Sequence, residues 1–336
     1  MIKAAIIGSG IGMKHLEAID QYRNSSVKII CEKDKTKIKH LRKKFKNIKI
    51  ISDEEKIFLD KSINLVSIAS YDDDHFNQLV KCINNNKHII VEKPMCLKIE
   101  QLLKIKNLIK KKKLKKKKKN IKIISNLVLR VNSLFLKFKD NIDYKDIFYI
   151  EADYIWGRKE KLYQWRSKIK DYSLTLGAAI HVIDLVMWFT KKKPISVSSF
   201  SNNLATKGTN FKNESFIIYI FEFPGNVIVK ISANAAGVYN HFHEVKIFGK
   251  NRTLVHNYLG SYTFTKKNKK TVFNELNYEY PDKKNRKKLI QNFIDVLIDN
   301  KIKPVITLKE QFDLMSVCFA SDKSLKLKKK IKIKYL

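Results

Sequence analysis

Lys93 stands in the tripeptide Glu92-Lys93-Pro94, directly after the apolar run His88-Ile89-Ile90-Val91. Far upstream, Gly8-Ser9-Gly10-Ile11-Gly12 closes the first apolar run of the chain. A glycine turn between a strand and a helix lets backbone approach a pyrophosphate. The helix beginning near Ile11, with Gly12 and Met13 in its first turn, then aims N–H groups and its positive dipole end at that anion. Gly8 and Gly10 supply the tight turn. The spacing, Gly-x-Gly-x-Gly, is one residue shorter than the usual Gly-x-Gly-x-x-Gly. Glu32 ends the next apolar run, Val27-Lys28-Ile29-Ile30-Cys31. A carboxylate there accepts ribose hydroxyls and repels a 2′-phosphate, so NAD is expected over NADP, with Lys33 softening the preference. A lysine at the lip of such a sheet reaches both a nicotinamide and a sugar hydroxyl.

A second set of candidates lies further on. His181 sits in Ala179-Ile180-His181-Val182-Ile183-Asp184. Histidine titrates near neutrality and suits moving a hydroxyl proton. Asp184 follows one helical turn later, so the two share a face; Asp184 can orient the imidazole or bind a substrate hydroxyl. Taken alone, His181 reads first as a core histidine on an apolar helix. Trp156-Gly157-Arg158 and Gln164-Trp165-Arg166 each put an aromatic beside an arginine, which suits sugar stacking with phosphate or carboxylate pairing, or simple packing. His241 and His243 alternate on a strand and share a face, lining a cleft or an oligomer surface. No third ligand accompanies them, so no metal site is expected.

The elements that must position these groups follow from hydrophobic period. Lys3–Ile7, Val27–Cys31, Ile48–Ile51, Asn64–Ala69 and Lys87–Val91 are continuous apolar runs of buried parallel strands. Helical stretches near 12–22, 34–46, 73–85 and 99–112 separate them, and Ile121–Asn126 supplies a last strand. Strict alternation implies a doubly wound α/β sheet. Right-handed crossovers then bring Gly8, Glu32, Ser70 and Glu92 to one edge, where such sheets bind ligands. The lysine run from Lys110 to Lys119, broken only by Leu114, reads as a helix fraying into an exposed loop. From Phe148 the pattern changes to long strands at 146–156, 194–203, 214–223, 226–235, 241–249 and 252–264, with one helix at Leu176–Phe189. This predicts a second, α+β domain with a large, mostly antiparallel sheet. Domains are expected at 1–125 and 126–336, with tail helices near 284–299 and 307–322 packing back on the first domain.

Composition narrows the class. With 336 residues, 44% of them hydrophobic, two soluble domains are the natural division. No apolar stretch is long enough to span a membrane, and the first residues end in a glycine turn instead of a cleavage site. Cys31, Cys82, Cys96 and Cys318 are scattered, which fits a reducing cytoplasm and no disulfide framework. The formal net charge of +37 invites a nucleic-acid reading. Yet arginine, the residue of bidentate base contacts, is scarce, while lysine, isoleucine and asparagine abound along the whole chain, as an AT-rich genome produces. No specific nucleic-acid partner is expected.

Three motifs in order carry a resemblance: Ile6-Ile7-Gly8-Ser9-Gly10-Ile11-Gly12-Met13-Lys14-His15, Ile68-Ala69-Ser70-Tyr71-Asp72-Asp73-Asp74-His75, and Lys87-His88-Ile89-Ile90-Val91-Glu92-Lys93-Pro94. With Asn126 to Arg130 and the stretch around His181, the chain resembles the glucose–fructose oxidoreductase/inositol dehydrogenase (Gfo/Idh/MocA) family over nearly its whole length. The resemblance implies an N-terminal Rossmann domain and NAD(P)-dependent hydride transfer on a secondary alcohol or ketone of a sugar, sugar nucleotide or cyclitol. It implies Lys93 and His181 as catalytic residues. Arg130, Trp165, Arg166 and Asp184 become substrate-binding candidates; Gly8, Gly10, Ile11, Gly12, Met13, Glu32, Ser70, His75, Glu92 and Lys93 become cofactor-binding ones. It further implies a homo-oligomer, dimer or tetramer, formed through the antiparallel sheet. One position departs from the pattern: the family carries an Asp four residues before the helical His, and here that residue is Gly177. An inactive NAD-binding sensor or accessory protein is therefore the alternative reading, with a nucleic-acid binder behind it.

Overall fold

The computed structural model describes residues 1–20, 22, 24–114 and 120–336. They divide into two compact units, Met1–Leu127 with Lys284–Gln311, and Val128–Lys283 with Phe312–Leu336.

The first unit begins with β1 (Ile2–Ile7), α1 (Gly12–Asp20), β2 (Ser25–Cys31), α2 (Lys35–Lys44), β3 (Lys49–Ile51) and α3 (Glu55–Leu59). It continues with β4 (Leu65–Ile68), α4 (His75–Asn84), β5 (His88–Val91), α5 (Ile99–Leu114) and β6 (Ile123–Ser125). The six strands form one parallel sheet in the order β3-β2-β1-β4-β5-β6. Ala4, Ile6, Leu65, Val66, Ile89 and Ile90 are fully buried, as a sheet covered on both faces requires. The strand order reverses between β1 and β4, which opens the crevice typical of ligand sites in such sheets. Register fixes what stands there: Ile7 pairs with Cys31 and Ile68, Ile68 with Val91, and Val91 with Ser125. Gly8, Glu32, Ala69, Glu92 and Asn126 therefore all follow their strands at one edge. The short α3 was not anticipated from sequence. Half of the lysine run, residues 115–119, lies outside the described residues; its first half continues α5.

The second unit contains α6 (Ser133–Asn141), β7 (Ile147–Ile155), a π-helical turn (Thr175–Ala179) running into α7 (Ile180–Thr190), β8 (Ser196–Asn202), β9 (Phe216–Phe223) and β10 (Val227–Asn234). After these come β11 (Phe242–Gly249), β12 (Arg252–Asn257), β13 (Gly260–Lys267) and β14 (Lys270–Glu275). The chain then supplies α8 (Lys287–Ile298) to the first unit; α9 (Leu308–Leu327) begins there and continues into the second, which ends with β15 (Ile331–Lys332). The nine-stranded sheet runs β14-β13-β12-β11-β7-β10-β9-β8-β15, antiparallel except for the β7–β10 pair. Alternate residues of β9 are buried, Ile217, Tyr219, Phe221 and Phe223, giving the period-two signature of a sheet with one face in the core. The strand expected over 252–264 is in fact a hairpin. Asn257 pairs with Gly260 across the turn Tyr258-Leu259, and Leu259 N donates to Asn257 Oδ1 at 3.0 Å. The helix α6 was also missed, although Asn132 caps it by accepting from Leu134 N and Phe135 N.

Candidate functional site

In the first unit the glycines divide by what a side chain would meet. Gly8 has φ +92°, and a Cβ there would lie 2.4 Å from Ala69 O, so the turn admits no other residue. A Cβ on Gly12 would lie 2.8 Å from Ile6 Cγ2; this glycine lets α1 sit close on β1. Gly10 has no atom within 4 Å of its Cβ position. Its bare backbone faces open space beside the start of α1, as the approach of a phosphate requires. Ile11 is exposed and Met13 half-buried.

Glu32 turns its carboxylate towards this loop. Oε2 accepts from Ser9 N at 3.0 Å and from Ser9 Oγ, and Oε1 accepts from Lys33 N and Asp34 N at 2.8 and 3.0 Å. Burial pushes the Glu32 carboxyl up, but the Ser9 and Asp34 donors outweigh it and hold the group below its usual range. The Ser9 hydroxyl is a movable donor, and a ribose hydroxyl offers the same chemistry.

The expected Glu92 site is a buried network. His15 Nδ1 is 2.7 Å from Ser67 Oγ and its Nε2 is 2.9 Å from Glu92 Oε1; Asn126 Nδ2 donates to the same oxygen at 2.6 Å. Burial raises the Glu92 carboxyl, but the hydrogen bond and charge of His15, then Asn126 and Lys93, reverse this and lower it to about 2. Glu92 thereby fastens the residue before Lys93 to α1 and β6. His75 does similar work from the other side: its Nδ1 lies 2.7 Å from Pro94 O and its Nε2 3.3 Å from Ser70 O. Ser70 Oγ donates to Gln78 Oε1 at 2.6 Å. Lys93 is half-buried and precedes a cis peptide bond to Pro94. Ser67, His15 and Asn126 were not singled out as site residues from sequence.

In the second unit His181 is half-buried on α7, its ring stacked on Tyr154 with centroids 6.1 Å apart and planes 9° apart. His243 faces Tyr154 across the β7–β11 pairing, ring to ring at 4.6 Å, and lies 6.4 Å from His181. The Nδ1 of His243 meets the Tyr280 hydroxyl, and His241 Nδ1 is 3.1 Å from Trp156 O. The histidines expected on one strand face thus join the aromatic set around His181. Among the described residues no three His, Cys, Asp or Glu side chains could hold a metal ion.

Arg130 and Asp184 pair with each other. Arg130 Nε donates to Asp184 Oδ2 at 2.9 Å and its Nη2 donates to Oδ1 at 2.7 Å, with both side chains 3% exposed. This two-pronged pair fastens α7 one turn beyond His181. The Arg166 guanidinium lies 4.2 Å from the Trp165 ring centroid and 4.8 Å from that of Trp156, close enough for cation–π attraction to both.

Comparison with known proteins agrees with this architecture. Residues 2–116 match the family model for an oxidoreductase family with an NAD-binding Rossmann fold, GFO/IDH/MocA, and residues 144–255 match the GFO/IDH/MocA C-terminal domain. A curated relative, 2,7-anhydro-N-acetylneuraminate hydratase of Escherichia coli, is 22% identical over 238 residues, 70% of this chain and 62% of that protein, so the match spans under two thirds of the relative's length. Two solved structures share the fold over 99% of each chain. One is myo-inositol 2-dehydrogenase from Lactobacillus plantarum, with TM-score 0.81 and 17% identity; the other is scyllo-inositol dehydrogenase from Lactobacillus casei with bound NAD(H) and scyllo-inositol, with TM-score 0.80 and 18% identity. The glycine turn, the Glu92-Lys93-Pro94 edge and the two domain matches converge: the chain belongs to the Gfo/Idh/MocA family of oxidoreductases, with an NAD(P)-binding Rossmann domain.

Proposed function

We propose that this protein transfers a hydride between NAD and a secondary alcohol of a cyclitol or sugar, with Lys93 and His181 as the catalytic residues. The observation that carries the reading is the shared edge of the first sheet: the open backbone at Gly10, the Glu32 carboxylate and the anchored Glu92-Lys93 end follow β1, β2 and β5 along that one edge. Glu32 selects the unphosphorylated ribose, which favours NAD over NADP.

Bound nicotinamide supplies the hydride acceptor. The chain's own residues handle the proton and the charge. A ring nitrogen of His181 takes the hydroxyl proton. The Lys93 ammonium donates to the oxygen as negative charge builds on it, and donates to the carbonyl in the reverse direction. Tyr154, stacked on His181, fixes the plane of the imidazole. Trp165 and Arg166 offer a stacking surface and a cation to a sugar ring and its substituents.

Cyclitol oxidation is the leading substrate class because the L. casei neighbour is recorded with scyllo-inositol. A dimer or tetramer in the cytoplasm completes the proposal. The test is a native mass spectrum of the purified protein followed by NADH detection across a panel of inositols, hexoses and sugar nucleotides. Retained or added NAD with NADH formed on one member supports the reading. Binding of NAD with no reduction on any member refutes it and favours the sensor alternative, which Gly177 motivates.

A further inference from the structure

The turn before His181 carries no side chain at Gly177, and a side chain from elsewhere in the chain fills that position. Gly177 lies in the π-helical turn, four residues before His181, so the two positions neighbour each other along one face. A Cβ on Gly177 would lie 1.9 Å from the hydroxyl oxygen of Tyr172 and 2.6 Å from its Cζ. The Tyr172 hydroxyl therefore occupies the space where any side chain of residue 177 would begin.

That hydroxyl is held from two directions. Arg166 Nε donates to it at 3.3 Å, and Arg166 is itself placed by the Trp156 and Trp165 rings. The Tyr172 ring packs edge-on against the buried Phe211, centroids 5.8 Å apart. The backbone around it is fixed too. Ser173 Oγ donates to Asp322 Oδ2 at 2.7 Å, Thr175 Oγ1 donates to Oδ1 of the same carboxylate, and Gly177 N donates to Ser173 O at 2.9 Å. A guanidinium donating to a phenol oxygen polarises the O–H bond and strengthens the phenol as a donor to another oxygen. π-Turns of this kind collect at functional sites, and this one places Gly177, over which the Tyr172 hydroxyl sits, four residues before His181.

We propose that Tyr172 is a catalytic residue of this chain: its hydroxyl, seated over Gly177, hydrogen-bonds the substrate oxygen that His181 deprotonates. The inference rests on the oxidoreductase reading above. In the oxidation direction the C–H hydride leaves to the nicotinamide and the O–H proton goes to His181. Tyr172 donates a hydrogen bond to the developing alkoxide and is unchanged at the end of the step. The substitution to glycine at 177 is then what makes room for the phenol.

The test uses the full chain with NAD and the panel member that the wild type oxidises. Tyr172→Phe keeps the ring against Phe211 and removes only the hydroxyl. Its kcat is expected to fall by about 10²-fold, with the melting temperature and NAD affinity held. A second comparison covers a loss of folding. Tyr172→Ala empties the space, and Tyr172→Ala/Gly177→Asp refills it with a carboxylate that reaches the same oxygen. The double variant is expected to recover at least tenfold in kcat over Tyr172→Ala, whereas Gly177→Asp alone, which collides with the phenol, loses both stability and turnover. Wild-type kcat and KM in Tyr172→Phe would overturn the inference and leave the oxidoreductase reading standing. A wild type that binds NAD and oxidises nothing overturns both.

Discussion

His15 Nε2 lies 2.9 Å from Glu92 Oε1, so the helix that begins at the glycine turn is tied to the residue before Lys93. The glycine turn and Lys93 thus share one support. Because the folded Glu92 carboxyl ionises near 2 and the unfolded one near 4.5, its contribution is present above about pH 4.5 and is lost as the pH falls towards 2. Urea unfolding of wild type and Glu92→Gln across pH 3 to 7 should show the wild type losing about 2 kcal/mol more than the variant over that window. Parallel curves would remove Glu92 from the acid response.

Gly8 and Gly10 should separate fold from binding. Gly8→Ala forces a Cβ to 2.4 Å from Ala69 O at φ +92° and is expected to destabilise the first unit by about 2 kcal/mol or more. Gly10→Ala meets nothing and should leave the melting temperature within a degree or so. Its NAD affinity should fall by about tenfold or more, because the methyl group fills the approach to the pyrophosphate. Calorimetric unfolding and NAD titration of both variants check this, and an unchanged affinity in Gly10→Ala would remove the phosphate from that spot.

Arg130 and Asp184 are both buried, and removing either leaves the other charge without its counter-ion. Arg130→Met and Asp184→Asn should each cost about 3–5 kcal/mol. The double variant should cost less than the sum of the two. Additive losses in chemical denaturation would show that the pair does not act as a unit.

Glu32→Ala removes four acceptor contacts and a negative charge at the end of β2, beside the glycine turn. NAD affinity should drop by about tenfold, and the preference for NAD over NADP should narrow or invert. Fluorescence titration with both nucleotides measures it. An unaltered ratio would mean that cofactor choice is set elsewhere.

The first sheet was legible because strands covered on both faces are written as uninterrupted apolar runs, and Ile6, Val66, Ile89 and Ile90 sit where those runs put them. The second domain's strands were legible for a different reason: one face of that sheet lies in the core, so buried residues alternate with half-buried ones along β9. The 258–259 turn was not, because Tyr258-Leu259 has none of the Gly, Pro or Asn-Gly chemistry that marks a hairpin. The helix α6 did carry a signal, Asn132 ahead of Leu134, Phe135 and Phe138, a cap followed by an apolar stripe. His15 lay inside a quoted motif, but its partners Ser67, Glu92 and Asn126 come from three different strands, and only register brings them together. Tyr172 sits in an irregular stretch, where no periodicity points at Gly177.

Lys93 is proposed to do chemistry in this protein and not merely to line a nucleotide site. Its most direct test is the steady-state rate of NADH formation by wild type and Lys93→Met on the panel member that the wild type oxidises, with NAD affinity measured on the same samples. A loss of about 10²-fold or more in kcat is expected, with NAD affinity changed by less than about threefold. Wild-type turnover in Lys93→Met would contradict it.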